Sequence, residues 1–193
     1  MTLRPFTLDD VPTAAAWGLD AELCRIAEWT PDQSLDYHRR HWTATVEAPP
    51  PELIRLAAVY DGALVGYVDL HGTEPDRREL GYVIGARSRW GRGLGTAAAR
   101  AGLDHAFDRL GLAVVTAEAL AANERSVRIL QRLGMIETGR GDDAVYLDRP
   151  THYRQFMITR EDWPAGRPEV TRAAPPGRPS RSPGSAGTTS PEG

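Results

Sequence analysis

Between a run that reads as a strand and a run that reads as a helix lie Trp90, Gly91, Arg92, Gly93, Leu94, Gly95 and Thr96. Unpaired amide groups and the positive end of a helix dipole make such a junction a natural anion site, with phosphate its usual occupant. Glycines let the main chain take left-handed angles and approach oxygen atoms without a Cβ in the way, and Arg92 adds positive charge. A turn of this composition can also make nothing more than a tight corner. The same letters fit a dinucleotide fingerprint, because Gly93, Gly95 and Ala98 match GxGxxA and Glu118 lies about the right distance on to grip a ribose. Context weighs against that NAD(P)-dependent oxidoreductase reading. Five residues, Ala86 to Trp90, separate the strand from the first glycine, and only one helix and two strands are expected beyond the loop helix.

Other chemistries drop out by residue type. All 23 basic residues are arginine, so a Walker phosphate loop, a pyridoxal phosphate site and a Schiff-base aldolase each lack their lysine. The single cysteine, Cys24, can build neither an internal disulfide nor a thiolate cluster, and points to a reducing compartment. The five histidines show no metal spacing; His38 and His41 share a helix face, but two ligands are too few for a structural zinc, so no metal is expected. A net charge of −3 gives no electrostatic case for nucleic acid. Asp9 and Asp10 spoil a secretory leader and no apolar run approaches ~18 residues, so no membrane partner and a cytoplasmic placement are expected.

The elements that must position the loop follow from the apolar period, which changes several times and implies a mixed α and β domain. A strand is expected at Leu3 to Pro5, a Thr7-capped helix over Leu8 to Leu19, and a second helix over Ser34 to Val46. A hairpin follows at Leu53 to Tyr60 and Leu64 to Leu70 around Asp61 and Gly62, then a strand at Glu79 to Gly85. After the glycine loop come a helix to Leu110, a strand at Val114 to Ala119, an Asn123-capped helix through Leu133, and a last strand at His152 to Thr159. Residues 1–163 form one domain in this reading. Residues 164–193, with seven prolines, five glycines and four serines, form a disordered tail.

Two stretches in order, ELGYVIGARSRWGRGLGTAA and ALAANERSVRILQRLGM, resemble the GCN5-related N-acetyltransferases. The branch they resemble acetylates ribosomal protein N-termini, together with its small-molecule relatives. The matched span is most of Leu3 to Thr159. The resemblance implies a central mixed, mostly antiparallel twisted sheet flanked by helices, and acetyl-CoA as cosubstrate. Val83 and Ile84 would offer main-chain groups to the pantetheine arm and the thioester carbonyl. Residues Trp90 to Thr96 would enclose the pyrophosphate, and Asn123, also read as a helix cap, would orient the pantetheine amides. Ser126 would protonate or hydrogen-bond the departing sulfur, and Glu79 would serve as general base, directly or through a water. Trp90 and Met135 depart from residues common in the wider superfamily. Leu130 stands where many members carry an acid tyrosine, so another group must take that task.

Trp17, Trp29 and Trp42 fall in the helices that border the acceptor in this family. Met1 to Glu47 hold eight acidic residues and four arginines, which favours a cationic amine, either a protein N-terminus or a small molecule such as an antibiotic. A monomer or homodimer is expected. A non-catalytic acyl-CoA-binding domain remains the alternative without turnover.

Overall fold

A computed structural model describes residues 1–164; the expected tail lies, from residue 165 onward, outside the described residues. Seven strands form one sheet in the order β1 (Thr2–Pro5), β2 (Leu53–Tyr60), β3 (Ala63–His71), β4 (Arg77–Ile84), β5 (Val114–Leu120), β7 (Arg149–Thr159) and β6 (Ile136–Tyr146). Every neighbouring pair is antiparallel except β4 with β5. Helices α1 (Val11–Trp17), α2 (Ala21–Ile26) and α3 (Leu35–Glu47) precede β2, α4 (Leu94–Asp104) joins β4 to β5, and α5 (Glu124–Arg132) follows β5. This is the mixed, mostly antiparallel sheet with flanking helices expected from the resemblance.

Alternation along the strands divides the core in two. Val68, Leu80, Val115, Ala117 and Phe156 bury against α4 and α5 on one face, with Ala98, Leu103, Phe107 and Leu130. Tyr67 and Val83 point to the other face, where Val11, Trp17, Leu23 and Trp42 of α1 to α3 cover them. Gly102 of α4 lies so close to the sheet that a Cβ there would meet Leu80 and Val68 at 2.7 and 2.8 Å.

The structure departs most from the sequence expectation in the first helix, in an added helix α2 and in the last two strands, while smaller shifts include β4 starting at Arg77 and α4 passing into a π turn at His105–Arg109. The helix expected over Leu8 to Leu19 is a single 3₁₀ turn at Leu8–Asp10 followed by the short α1. Asp10 turns its carboxylate back onto the Thr7 amide at 2.9 Å and the Arg4 guanidinium at 2.6 Å, closing the Thr7 capping box over the 3₁₀ turn. Helix α2 was not expected; Asp20 caps it by accepting from the amides of Glu22 and Leu23. Strand β6 was not expected either, and β7 begins at Arg149 rather than His152. Most of β6 is exposed, it carries Gly139, Gly141, Asp142 and Asp143, and its register slips twice against β7, so it shows no alternation to read. The turn between them, Leu147 and Asp148, holds both residues at positive φ (49° and 64°) without glycine.

Parallel pairing of β4 with β5 is confined to Arg77–Glu79 against Val114–Thr116. Beyond it the two strands run on to Ile84 and Leu120 without pairing to each other, and the sheet opens between them.

Candidate functional site

A groove of about 620 Å³ fills that opening, lined by Val83 and Ile84 of β4, Gly91, Gly93, Leu94, Gly95 and Thr96 of the loop, and Asn123 and Ser126 of α5. Gly91 and Gly93 sit at φ +75° and +80°, angles that L side chains rarely adopt, and no atom lies within 4 Å of where a Cβ would stand at either. Gly93 is the N-cap of α4. The amides of Leu94, Gly95 and Thr96 therefore open the helix without intrahelical acceptors, on the groove side of the turn. Gly95 packs closely instead, since a Cβ there would lie 3.0 Å from the Ile129 side chain of α5. These features suit the diphosphate of a nucleotide.

Trp90 is a bracket for the loop. Its indole N–H donates to the Ile84 carbonyl at 2.8 Å, its ring joins the α1–α3 core, and the Arg125 guanidinium lies 5.6 Å from its centroid. The Ile84 carbonyl, one of the main-chain groups expected to serve the pantetheine, is thus already engaged. Arg92 is not among the lining residues, whereas Arg89, Arg125, Arg128 and Arg132 are. The three on α5 recur at i, i+3 and i+7, a spacing that the sequence displays and that places them on one helix side.

Asn123 caps α5 by accepting from the Ser126 amide at 3.2 Å. That bond uses its carbonyl oxygen and leaves its NH₂ for the groove, so the cap and a ligand contact are compatible. Ser126 meets a residue that sequence reasoning missed: the Tyr82 hydroxyl of β4 lies 3.1 Å from Ser126 Oγ and bridges the opening. Burial pushes the Tyr82 phenol up to about 12, partly offset by the Ser126 contact, so it stays neutral and can donate. Its place in the GY pair gave no separate signal, because a strand tyrosine is ordinarily packing. Leu130, 1% exposed, is in the core and reaches nothing polar.

Glu79 is exposed and does not line the groove. It stands at the closed end of the opening, on the face opposite α4 and α5, in register with His71 of β3 and Thr116 of β5. Crowding by neighbouring atoms and the Glu118 charge raise its carboxyl above the usual range, while His71 opposes them. Glu118 lies on this same face and accepts from Gln155 at 2.8 Å, turned away from the glycine loop. The ribose-gripping role is therefore overturned, and with it the dinucleotide reading, because the loop belongs to a mostly antiparallel sheet with one parallel pair. Among the described residues no group of three or more metal-ligating side chains is found, and no helix is long and apolar enough to cross a membrane. Several acidic residues of the first 47 are ion-paired, Asp10 with Arg4, Asp36 with Arg39, and Asp20 and Glu22 with the one Arg87, while Arg25 pairs outward with Asp148, so the acidic surplus of the region stands.

Comparison with known proteins agrees with this geometry. The family model described as an acetyltransferase (GNAT) domain matches residues 1–136. The Bacillus subtilis (strain 168) protein named "Putative ribosomal N-acetyltransferase YdaF" is 33% identical over 113 residues, 57% of this chain and 61% of that relative. The chain thus matches somewhat under two thirds of that relative's length. A spermidine N-acetyltransferase from Vibrio cholerae, solved with CoA and spermine, superposes with a TM-score of 0.71 at 18% identity, over 83% of this chain and 96% of that one. An aminoglycoside acetyltransferase, AAC(6')-Ib, solved with coenzyme A, gives 0.66 at 21%, over 83% and 95%. At these identities the two structures speak for the fold.

Proposed function

The chain belongs to the acetyltransferase (GNAT) family, and from that premise we propose that it transfers the acetyl group of acetyl-CoA directly to a primary amine within a ternary complex. The observation that carries the reading is the opening between β4 and β5, edged by a loop whose two left-handed glycines leave clear space before the α4 amides. Those amides and the arginines of α5 would take the pyrophosphate, and the Asn123 NH₂ a pantetheine carbonyl. Acceptors of the family's kind, a protein N-terminus or a small amine, remain within the proposal, as does a cytoplasmic placement with residues 1–163 as the working unit.

Chemistry follows from the side chains present. The amine must lose a proton as its lone pair attacks the thioester carbonyl, and the C–S bond then breaks to leave a thiolate. Glu79, through a water, accepts the proton. The Tyr82 hydroxyl donates to Ser126 Oγ, which directs the Ser126 proton toward the sulfur and stabilises the charge that develops there. No metal is required.

Calorimetry and thiol release test the proposal together. Acetyl-CoA should bind, NADH should not, and a broad amine panel should release CoA thiol. Binding of NADH alone would overturn the reading, and acetyl-CoA binding without thiol release from any amine or N-terminal peptide would leave a non-catalytic domain.

Gly93→Val should raise the Michaelis constant for acetyl-CoA by roughly ten- to a hundredfold, because a β-branched residue at φ +80° costs about 1–3 kcal/mol and its side chain enters the space before the helix amides. An unchanged constant in steady-state kinetics would remove the loop from the binding site.

Glu79→Gln should lower turnover most at moderate pH, where the carboxylate is ionised and the amine still protonated, with recovery at high pH where the amine deprotonates unaided. The same change should raise stability at neutral pH. A carboxyl whose folded pKa is raised binds its proton more tightly folded than unfolded, so its contribution to stability is present at low pH and is lost as pH rises through the folded value. Denaturant midpoints at pH 4 and pH 8 check the sign: the variant should gain at pH 8 relative to pH 4.

A further inference from the structure

Beside the groove, on the α1–α3 side of the sheet, lies a second cavity of about 210 Å³. The two are neighbours through consecutive residues and across a strand pair: Ala27 lines the groove and Glu28 the cavity, while Val83 lines the groove and its register partner Tyr67 the cavity. We propose that this cavity receives an aromatic ring of the acceptor, so that the amine acetylated here is an arylalkylamine, with the ring in the cavity and the amine toward the groove. This deepens the acetyltransferase reading and rests on it.

Ring walls fixed by one another make the cavity. Trp29 stacks on Tyr67 with centroids 6.3 Å apart and meets Trp42 edge-on at 5.7 Å; Trp42 meets Tyr67 edge-on at 5.4 Å and is backed by Phe6 at 5.1 Å. The Trp29 indole N–H donates to the Tyr67 hydroxyl at 3.3 Å. A dry cavity of ~150 Å³ admits benzene, so this one holds one benzene- or indole-sized ring. Further edge-to-face contacts would then add to the burial of the ring.

Charge argues against a second cation in the cavity. Arg55 already lies over the Trp42 and Tyr67 rings, at 4.9 and 4.7 Å, and Asp69 neutralises it through two bonds of 2.8 and 2.6 Å. Burial, Arg55 and His38 lower the His41 pKa, which keeps that imidazole neutral. Glu28 is the carboxylate among the lining residues, held at φ +58° and accepting a hydrogen bond from the Tyr153 hydroxyl. It stands where the cavity meets the groove, placed to attract an ammonium and turn the amine toward the thioester. A linear polyamine would find one carboxylate there and three nitrogenous side chains beyond it.

The test compares thiol release with 2-phenylethylamine, propylamine and spermidine at saturating acetyl-CoA, and with Phe-Gly-Gly against Ala-Gly-Gly. The peptides ask whether the ring belongs to a free amine or to the first residue of a chain. Burying a phenyl ring predicts kcat/KM on the order of 30-fold higher for 2-phenylethylamine than for propylamine. Trp29→Leu should bring the ratio toward unity, and so should Thr30→Trp, which fills the cavity from an exposed loop position without replacing a core residue. A ratio near one in the native protein, or a preference for spermidine, overturns the inference while the acetyltransferase reading stands. Should no amine release thiol and acetyl-CoA fail to bind, that reading fails separately. The cavity is then judged by the indole N–H resonances of Trp29 and Trp42, whose shift with 2-phenylethylamine supports ring binding and whose constancy overturns it.

Discussion

Ser126→Ala lowers kcat by about a hundredfold and leaves the Michaelis constant for acetyl-CoA within about twofold, the pattern of a group that acts when sulfur charge develops. The variant isolates the hydroxyl because the cap of α5 uses the Ser126 main-chain N–H, which alanine retains in its bond to Asn123. Tyr82→Phe removes the partner hydroxyl and keeps the ring against Gly95, so its loss is smaller, roughly five- to tenfold. In the double variant the two losses should not multiply, since Tyr82 acts through Ser126. Pre-steady-state thiol release on the four proteins of the cycle measures this coupling. Full multiplication of the two effects would separate Tyr82 from the serine, and an intact kcat in Ser126→Ala would end the role of that hydroxyl.

Gly66→Ala destabilises the protein by about 3 kcal/mol or more, because the new Cβ would stand 2.0 Å from the Val83 carbonyl oxygen of the neighbouring strand. Backbone, rather than a flexible side chain, must move. At this chain length such a loss lowers the melting temperature by roughly 6–12 °C. The displaced residue is Val83, which lines the groove, so turnover should fall in the fraction that still folds. Gly62→Ala is the control: its φ is +72° but nothing lies within 4 Å of the added Cβ, and only about 1 kcal/mol of backbone strain is expected. Equal melting temperatures for the two variants would show that strand β4 yields where the close approach says it cannot.

Local signals located most elements because they act within a few residues. Ser34 and Asn123 cap the helices assigned to them, and Asp61 and Gly62 close the hairpin with positive φ at both positions (52° and 72°). Strand β6 failed the same kind of reading. Its residues are exposed and irregular in pattern, and what makes them a strand is the pairing with β7.

In the site the division is similar. Glycines at 91 and 93 and the start of α4 were legible, since left-handed angles and unpaired amides are properties of the chain itself. The place of Ser126 on the groove wall was legible too, through the motif it stands in. Which arginines would line the groove was not legible: Arg89, Arg125, Arg128 and Arg132 do and Arg92 does not, because which side of a turn a long side chain takes depends on what packs beneath it.

The order of residues by itself determined that a glycine-rich turn would precede a helix, that one asparagine would cap a later helix, and that sites needing a lysine or a cluster of thiolates were closed to this chain. Only the tertiary structure decided that β4 and β5 separate after three paired positions, that Tyr82 reaches Ser126 across 44 residues, and that three rings from α3, β3 and the segment between α2 and α3 enclose a cavity beside the groove. The reason is range. Dihedral preferences and caps are fixed by neighbours in sequence, whereas a gap between strands or a contact across a sheet exists only once the burial of distant apolar faces has set the strand order and register.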